Sequence, residues 1–227
     1  MRKGPYLGIT GFTTAAEARH ALGLLPPSPN RLLMIGILAC NSTCRPENPA
    51  RVPPVETIAG IFPDHPRALN LVHYFTDEPA TLGRQLAELA GRCGPNLHGF
   101  QINGVRPTRA DLGEVRSAWP GLRIVLQIGS PEEAAREVDD LLLDKSAGQG
   151  RPLDPDTVLP FLRELKDTGL GLGVAGGLCA SSLHLLEPLL AEFPDLSFDA
   201  ESRLRDEEDR LDLERVRGYV QAGLRVA

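Results

Sequence analysis

Short apolar runs alternate with amphipathic stretches along the whole chain. The runs are rich in Leu, Ile and Val and bounded by Gly, Pro, Asn or Asp, which is typical of strands buried on both faces. They predict about eight strands: Tyr6–Ile9, Leu32–Ala39, Ala68–Phe75, Leu97–Ile102, Arg123–Ile128, Asp140–Leu143, Leu170–Ala175 and Leu196–Asp199.

The stretches between these strands predict helices. Leu82, Leu86 and Leu89 recur at intervals of four and three residues, which places them on one helix face. Thr14 and Glu17 form a T-x-x-E capping box at the start of another helix. Similar patterns between the other strands give about eight helices in all.

This alternation predicts an α/β fold, a single (β/α)₈ TIM barrel occupying residues 1–227 as one domain. A doubly wound open sheet alternates in the same way and is the second choice. The barrel is favoured because the alternation continues without a shift in composition. One long stretch, CNSTCRPENPARVPP, follows the second strand and is expected to be a loop at the end where barrels carry chemistry.

The composition narrows the function classes. Hydrophobic residues make up 42% and charged residues 24% of the chain, and the formal net charge is -6. Acidic and basic residues are intermixed, with no basic stripe of the kind that binds nucleic acid or an anionic membrane. We therefore expect neither partner, and nothing in the sequence predicts a cofactor.

The N-terminus has no apolar stretch of signal-peptide length, and no run approaches the roughly 20 residues that cross a bilayer. A cytoplasmic location is the expectation. The four cysteines are few and mostly far apart, so reduced thiols are expected. Cys40 and Cys44 lie close together, but no second pair or nearby histidine completes a zinc site, and no metal is predicted.

Asp144 ends the apolar run Leu141–Leu143 and precedes the flexible segment KSAGQGRPLD. A carboxylate at the mouth of an apolar barrel can have its pKa raised by desolvation, which suits a general acid near neutral pH. The alternative is a solvated carboxylate, or a partner of Lys145 or Arg151.

Several strand ends, read in order, resemble phosphoribosylanthranilate isomerase, a small single-domain barrel of tryptophan biosynthesis. Its K-I-C-G-I-T opening is similar to Tyr6–Thr10, its L-L-D before a glycine-rich segment to LLLDKSAGQG, and its A-G-G-L to Ala175–Leu178. Its D-V-S-S-G-V-E is similar to Asp199–Arg205. Each motif is weak alone, and their order carries the resemblance.

The resemblance implies roles for particular residues. The family's general acid matches Asp144, and its phosphate-binding backbone matches Gly176, Gly177 and Ser202. A helix that begins at Ala180 is expected behind the two glycines, where its N-terminus would supply partial positive charge. A substrate-binding arginine of the family matches Arg51, and the glutamine of its V-Q-L-H-G strand matches Gln101.

Two departures affect the implied chemistry. The cysteine that acts as general base in the family is replaced here by Leu7, which cannot accept a proton. The glycine on the family's eighth strand is replaced by Arg203, a cation that could bind the same anion or form a surface salt bridge. Cys40, at the end of a neighbouring strand, is an alternative candidate for the base. The structural interpretation is that Cys40 is simply a small buried residue.

Further candidates for the barrel mouth are His73, Tyr74 and Gln127, of which about half should face inward because strand side chains alternate. The favoured function is acid/base chemistry, of the isomerase type, on a small phosphorylated metabolite such as a sugar phosphate or ribosyl phosphate. The alternatives are a barrel that binds the phosphate ligand without catalysis and a lyase or hydrolase with a rearranged site. A monomer or homodimer is expected.

Overall fold

Eight parallel strands close into a barrel in which each strand pairs with its neighbours in the chain, and β1 also pairs with β8. The structure is a computed structural model that describes residues 4–27, 30–41, 51–135, 137–145 and 151–226. The strands are β1 (Tyr6–Thr10), β2 (Leu32–Cys40), β3 (Ala68–Phe75), β4 (Gly99–Ile102), β5 (Arg123–Ile128), β6 (Asp140–Asp144), β7 (Gly171–Ala175) and β8 (Ser197–Ala200). The predicted barrel is confirmed, because the pairing of β1 with β8 closes the sheet, whereas an open sheet has two unpaired edges.

Seven α-helices lie in the described part of the chain: α1 (Ala15–Gly23), α2 (Val55–Ile61), α3 (Leu82–Arg92), α4 (Arg109–Ala118), α5 (Pro155–Leu165), α6 (Glu187–Glu192) and α7 (Leu213–Val226). The expected number was about eight. The connection between β5 and β6 is only eleven residues long, which leaves little room for an α-helix. Its described part contains one turn of 3₁₀-helix, Pro131–Glu133. None of the helices described is long and apolar enough to cross a membrane.

The predicted strand positions agree with the structure to within two residues. The largest difference is at β4, which begins at Gly99 and not at Leu97. The amide of Leu97 donates to the carbonyl of Gly94 in a turn, so this residue is still part of the connection from α3. The assignment of all 227 residues to one domain stays a prediction.

Side chains divide between two apolar regions according to the alternation along each strand. A small cluster fills the barrel interior and consists of Tyr6, Met34, Leu69, Leu71, Val125 and Leu142. A larger cluster lies between the strands and the helices. Residues two positions after an interior residue face the interior again, nearer the carboxyl end of the strand. This rule decides which polar residues reach the barrel mouth.

A buried ion pair closes the opposite end of the barrel, where the strands begin. Arg123 donates to both carboxylate oxygens of Asp140, at 2.5 and 2.6 Å, and its third nitrogen donates to the carbonyl of Gly4. The guanidinium also lies over the ring of Tyr6, 5.5 Å from its centre. Both charged side chains are 6% exposed. The pair joins the starts of β5 and β6 to the residues that precede β1.

Asp140→Ala is expected to lower the free energy of unfolding by about 3–5 kcal/mol, because it leaves the Arg123 guanidinium buried without its carboxylate. Replacing both partners, Arg123→Met with Asp140→Leu, should recover much of that loss. Denaturant unfolding measures both. The control is Glu192→Ala, which breaks an exposed pair with Arg163 and should change stability far less. Equal effects of the two single substitutions would contradict this account.

Candidate active site

A small cavity lies at the carboxyl ends of the strands, with a volume of about 70 Å³. It is lined by side chains and backbone from β3 to β8 and the turns that follow them: His73, Asn103, Gln127, Asp144, Ala175, Gly176, Gly177, Asp199, Ala200, Glu201 and Ser202. Most of these residues are polar, and three are carboxylates. This is the end of a TIM barrel at which active sites are found.

Strand alternation explains why these side chains reach the cavity. His73 follows the interior residue Leu71 by two positions, and Asp144 follows Leu142 in the same way. Tyr74, the neighbour of His73, faces the other way and donates from its hydroxyl to Gln85 of α3. The prediction that His73 lies at the mouth is therefore confirmed, and the suggestion that Tyr74 does so is wrong.

A chain of amide side chains connects the polar residues of β3 to β6. The Nε2 of Gln101 lies 3.4 Å from Nδ1 of His73 and donates to Oε1 of Gln127 at 3.2 Å. The Nε2 of Gln127 donates to Oδ2 of Asp144 at 2.9 Å. These hydrogen bonds hold Asp144 in one orientation at the end of β6.

His73 carries a buried nitrogen that faces no hydrogen-bond partner among the described residues. Its Nε2 is that atom, although the side chain is almost fully buried and lines the cavity. Burial lowers the pKa of His73, and the charges of Glu201 and Asp144 oppose this change. A neutral imidazole whose Nδ1 accepts from Gln101 carries its proton on Nε2. That proton is available to a group in the cavity.

Asp199, on β8, is a buried carboxyl at the same cavity. The hydroxyl of Thr10 lies 3.0 Å from its Oδ2 and 3.3 Å from its Oδ1. Burial, and then the negative charge of Glu201, raise the pKa of Asp199 to about 7, while hydrogen bonds from Thr10 and Gln101 act in the opposite direction. Asp199 therefore changes its charge near neutral pH.

An ion-pair cluster stands beside the cavity. Arg51 donates to both carboxylate oxygens of Asp209, at 2.5 and 2.7 Å, and to Oε1 of Glu201 at 3.1 Å. The hydrogen bond from Arg51 holds the pKa of Asp209 below its usual range. Through Glu201, this arginine partly offsets the negative charge of the cavity wall.

The turn after β7 brings backbone into the cavity wall. Gly176 and Gly177 have φ values of 126° and 55°, which residues with a side chain rarely adopt. A helix was expected to begin at Ala180 behind them, and this prediction is wrong. The hydroxyl of Ser182 accepts from the amide of Cys179 at 2.9 Å and closes a turn, and helical structure begins with a 3₁₀ segment at Leu183.

Three solved structures resemble this fold over nearly the whole chain. The phosphoribosyl anthranilate isomerase from Thermus thermophilus has a TM-score of 0.71 at 19% identity and covers 98% of this chain and 100% of its own. TrpF from Jonesia denitrificans has a TM-score of 0.69 at 18% identity, covering 98% of each chain. A phosphoribosyl anthranilate isomerase in complex with reduced 1-(O-carboxyphenylamino)-1-deoxyribulose 5-phosphate has a TM-score of 0.66 at 15% identity, covering 96% of this chain and 97% of its own.

At these identities the comparison shows the fold alone. It confirms that this chain shares the barrel of phosphoribosylanthranilate isomerase, as the strand-end motifs predicted. No family model matches the sequence, and no curated protein matches it.

The structure brings together some of the site residues predicted from the sequence. Asp144, Gly176, Gly177 and Ser202 all line the cavity. Gln101 is buried behind them and bonded to two lining residues, His73 and Gln127. Arg51 reaches the cavity wall through its ion pair with Glu201. These placements are consistent with the predicted roles, which themselves stay predictions.

Other predicted residues are not part of the cavity wall. Cys40 ends β2 and is half-buried, and Arg203 is exposed on the 3₁₀ turn Ser202–Leu204. Neither lines the cavity, so a contact between Arg203 and an anion bound there would need the side chain to turn inward. Cys44 lies outside the described residues.

Leu7 occupies the position matched to the family's catalytic cysteine, and its side chain faces α7. A side chain at Gly223 of α7 would overlap it, whereas a side chain at Gly8 would point inward and meet Asp199 and Met34. In this chain, position 7 is therefore part of the layer between barrel and helices.

Sequence reasoning missed Asp199 and Thr10 as residues of this site. The motif comparison included Asp199 only as the first letter of the eighth-strand pattern. The alternation of side chains along β8 could have identified Asp199, because it follows the inward-facing Ser197 by two positions. The approach of Thr10 to Asp199 joins residues 189 positions apart and needs barrel closure.

A larger cavity of about 430 Å³ lies at the opposite end of the barrel, the face that serves stability more than chemistry in TIM barrels. Its buried guanidinium, Arg123, is already bonded to Asp140 and Gly4. Among the residues that the structure covers, no group of three or more His, Cys, Asp or Glu is placed to hold a metal ion.

The raised pKa of Asp199 predicts how the stability of its asparagine variant depends on pH. The folded protein holds the Asp199 proton more tightly than the unfolded chain, so wild-type stability from this group falls as pH rises from its ordinary pKa of 3.8 to about 7. Asparagine does not ionise. Asp199→Asn should therefore gain stability relative to wild type by about 3 kcal/mol between pH 5 and pH 8, measured by urea unfolding. A difference that does not change with pH would show that Asp199 ionises normally.

Proposed function

We propose that this protein is an acid/base enzyme, of the isomerase type, that acts on a small phosphorylated ligand such as a sugar phosphate or ribosyl phosphate. One observation carries the proposal: the carboxyl of Asp144 and the backbone turn of Gly176 and Gly177 line the same cavity at the barrel mouth. The fold supports it, since one of the similar structures holds a deoxyribulose 5-phosphate derivative.

The phosphate of the ligand is proposed to bind at Gly176, Gly177 and Ser202. Glycine backbone with positive φ lets an anion approach amide groups closely, and the hydroxyl of Ser202 adds a donor. The carboxylates of the wall oppose an anion. Glu201 is paired with Arg51, and Asp199 takes up a proton near pH 7. Phosphate binding should therefore weaken as pH rises above about 7.

Asp144 is proposed as the general acid. Its carboxyl is buried at the end of β6 and oriented by the amide of Gln127. The ammonium of Lys145, offered above as a partner for Asp144, lies over the ring of Phe161 at 4.4 Å. An oriented carboxyl at the mouth is suited to transfer a proton to a ligand oxygen, a contribution of about 10²–10⁴ in rate.

We propose further that phosphoribosylanthranilate is not the substrate. The family's base is absent, because position 7 is a leucine that faces α7.

The second candidate is a barrel that binds a phosphorylated ligand without catalysis. The observation that favours it is the same leucine, because a lineage that keeps the anion turn and loses the base would retain binding alone. The two candidates differ in whether Asp144 matters for turnover or only for shape.

Phosphate binding can be tested with paired substitutions at one glycine. Gly177→Asp should abolish binding of inorganic phosphate and ribose 5-phosphate at pH 6.5, measured by isothermal titration calorimetry, because it adds a negative charge where the anion sits. Gly177→Asn has nearly the same shape and strain without the charge, and should weaken binding less. Gly121→Asp, at an exposed glycine with open space around it, controls for the added charge. Equal affinity in Gly177→Asp and wild type would exclude this site.

The role of Asp144 can be tested with Asp144→Asn, an amide that can still accept from Gln127. Turnover should fall by about two orders of magnitude or more, with ligand affinity nearly unchanged and stability equal or slightly higher. The assay screens ketose and aldose phosphates as well as phosphoribosylanthranilate, which should give no turnover. A less stable variant with full activity would mean that Asp144 serves the fold.

A further inference from the structure

The proposed function leaves one proton transfer without a residue, since Leu7 cannot serve as base and Cys40 does not line the cavity. The register of the strands points to another group. Asp144 on β6 is level with Ala175 on β7, which is level with Asp199 on β8. Two strand spacings place the Cα atoms of the two acidic residues about 10 Å apart.

The residue between them leaves room for a ligand. Ala175 has a short side chain and lines the cavity together with both carboxyl groups. Asp144 and Asp199 therefore flank a space above a small side chain, at one level of the barrel. This is the arrangement needed when one group donates a proton to a molecule and the other removes one.

The fold holds Asp199 in place from several sides. Gly8 has no side chain, and any side chain there would collide with the Asp199 carboxyl; a side chain at Gly36 would likewise collide with the Thr10 hydroxyl. The Thr10 hydroxyl is then free to approach the carboxyl at 3.0 Å. Burying a carboxyl group costs free energy. The space around Asp199 and its hydrogen bond from Thr10 therefore point to a functional role for this carboxyl.

We propose that Asp199 is the second proton-transferring residue of this site and acts as the base opposite Asp144, an inference that rests on the proposed function. Asp199 takes a proton from the carbon beside the ligand carbonyl, and the C–H electron pair forms a C=C bond. The carbonyl oxygen receives a proton from Asp144. Asp199 then returns its proton to the former carbonyl carbon, while the hydroxyl on the carbon that was first deprotonated gives its proton to Asp144 and the new C=O bond forms there. No oxidant or cofactor is consumed, and the substrate class is a short aldose or ketose phosphate.

The surroundings of Asp199 agree with this role. Its pKa of about 7 matches a base working near neutrality. The titratable groups that act on it or share its cavity are Glu201, Asp144, His73, Tyr6 and Tyr219. The unpartnered Nε2 of His73 can donate to the carbonyl oxygen and stabilise the enediol.

The test follows proton exchange and not complete turnover. Wild type is incubated in D₂O with dihydroxyacetone phosphate or ribulose 5-phosphate, and ¹H NMR follows loss of the protons beside the carbonyl. Asp199→Asn should lower the exchange rate at least about 100-fold, while the dissociation constant for inorganic phosphate, measured at about pH 6 where Asp199 is protonated, changes by less than about threefold. Cys40→Ala should exchange like wild type.

Thr10→Val removes a hydrogen bond that lowers the pKa of Asp199, so it should move the pH midpoint of exchange upward. A purely structural role of Asp199 would leave that midpoint unchanged.

Each other outcome overturns a defined claim. Exchange that survives in Asp199→Asn but is lost in Cys40→Ala assigns the base to Cys40. Phosphate binding by wild type without exchange of either probe overturns the assignment of Asp199 and favours the binding-only candidate. Failure of wild type to bind phosphate overturns the proposed function, and this inference with it.

Discussion

Closure of eight parallel strands is the constraint on which the rest of this structure depends. In a closed barrel every second side chain must enter a narrow interior, and the six-residue apolar cluster around Leu71 and Leu142 fills it. In the described part of the chain, the next inward positions line the cavity at the mouth. His73 and Asp144 are polar at these positions, so the cavity is a direct result of strand alternation and not of loop structure alone.

The second constraint is electrostatic. Three carboxyl groups, Asp144, Asp199 and Glu201, line one cavity from which much of the solvent is excluded. Such a concentration of negative charge is tolerated only when charges are paired, hydrogen-bonded or removed by protonation. Arg51 pairs with Glu201, and Asp199 is protonated below about pH 7. The same balance that permits the site to exist makes its charge sensitive to pH near neutrality.

This chain shares the barrel fold of phosphoribosylanthranilate isomerase, but its sequence differs from the family's motifs at some strand ends. The glycine turn after β7 and the carboxyl at the end of β6 occupy the expected strand ends. Leu7, at the position that the motif comparison matched to the family's base, packs against α7 in the layer outside the barrel. Chemistry in a TIM barrel depends on a few side chains at strand ends, which can change while the interior and helix layers keep their shape.

The sequence by itself determined the barrel, because eight buried runs at regular spacing have few ways to form all their backbone hydrogen bonds. It also located Asp144 and the glycine turn, because the ends of strands are local features of a sequence. The start of β4 and the turn in place of a helix at Ala180 depended on local hydrogen bonds that residue patterns do not show. The same holds for the 3₁₀ turn in the described part of the connection between β5 and β6. The inward or outward direction of Leu7 and Tyr74 depended on the phase of each strand within the closed sheet. Only the tertiary structure could place Thr10 against Asp199 and Arg51 against Glu201, since these contacts join residues more than 140 positions apart and form when β8 returns to β1.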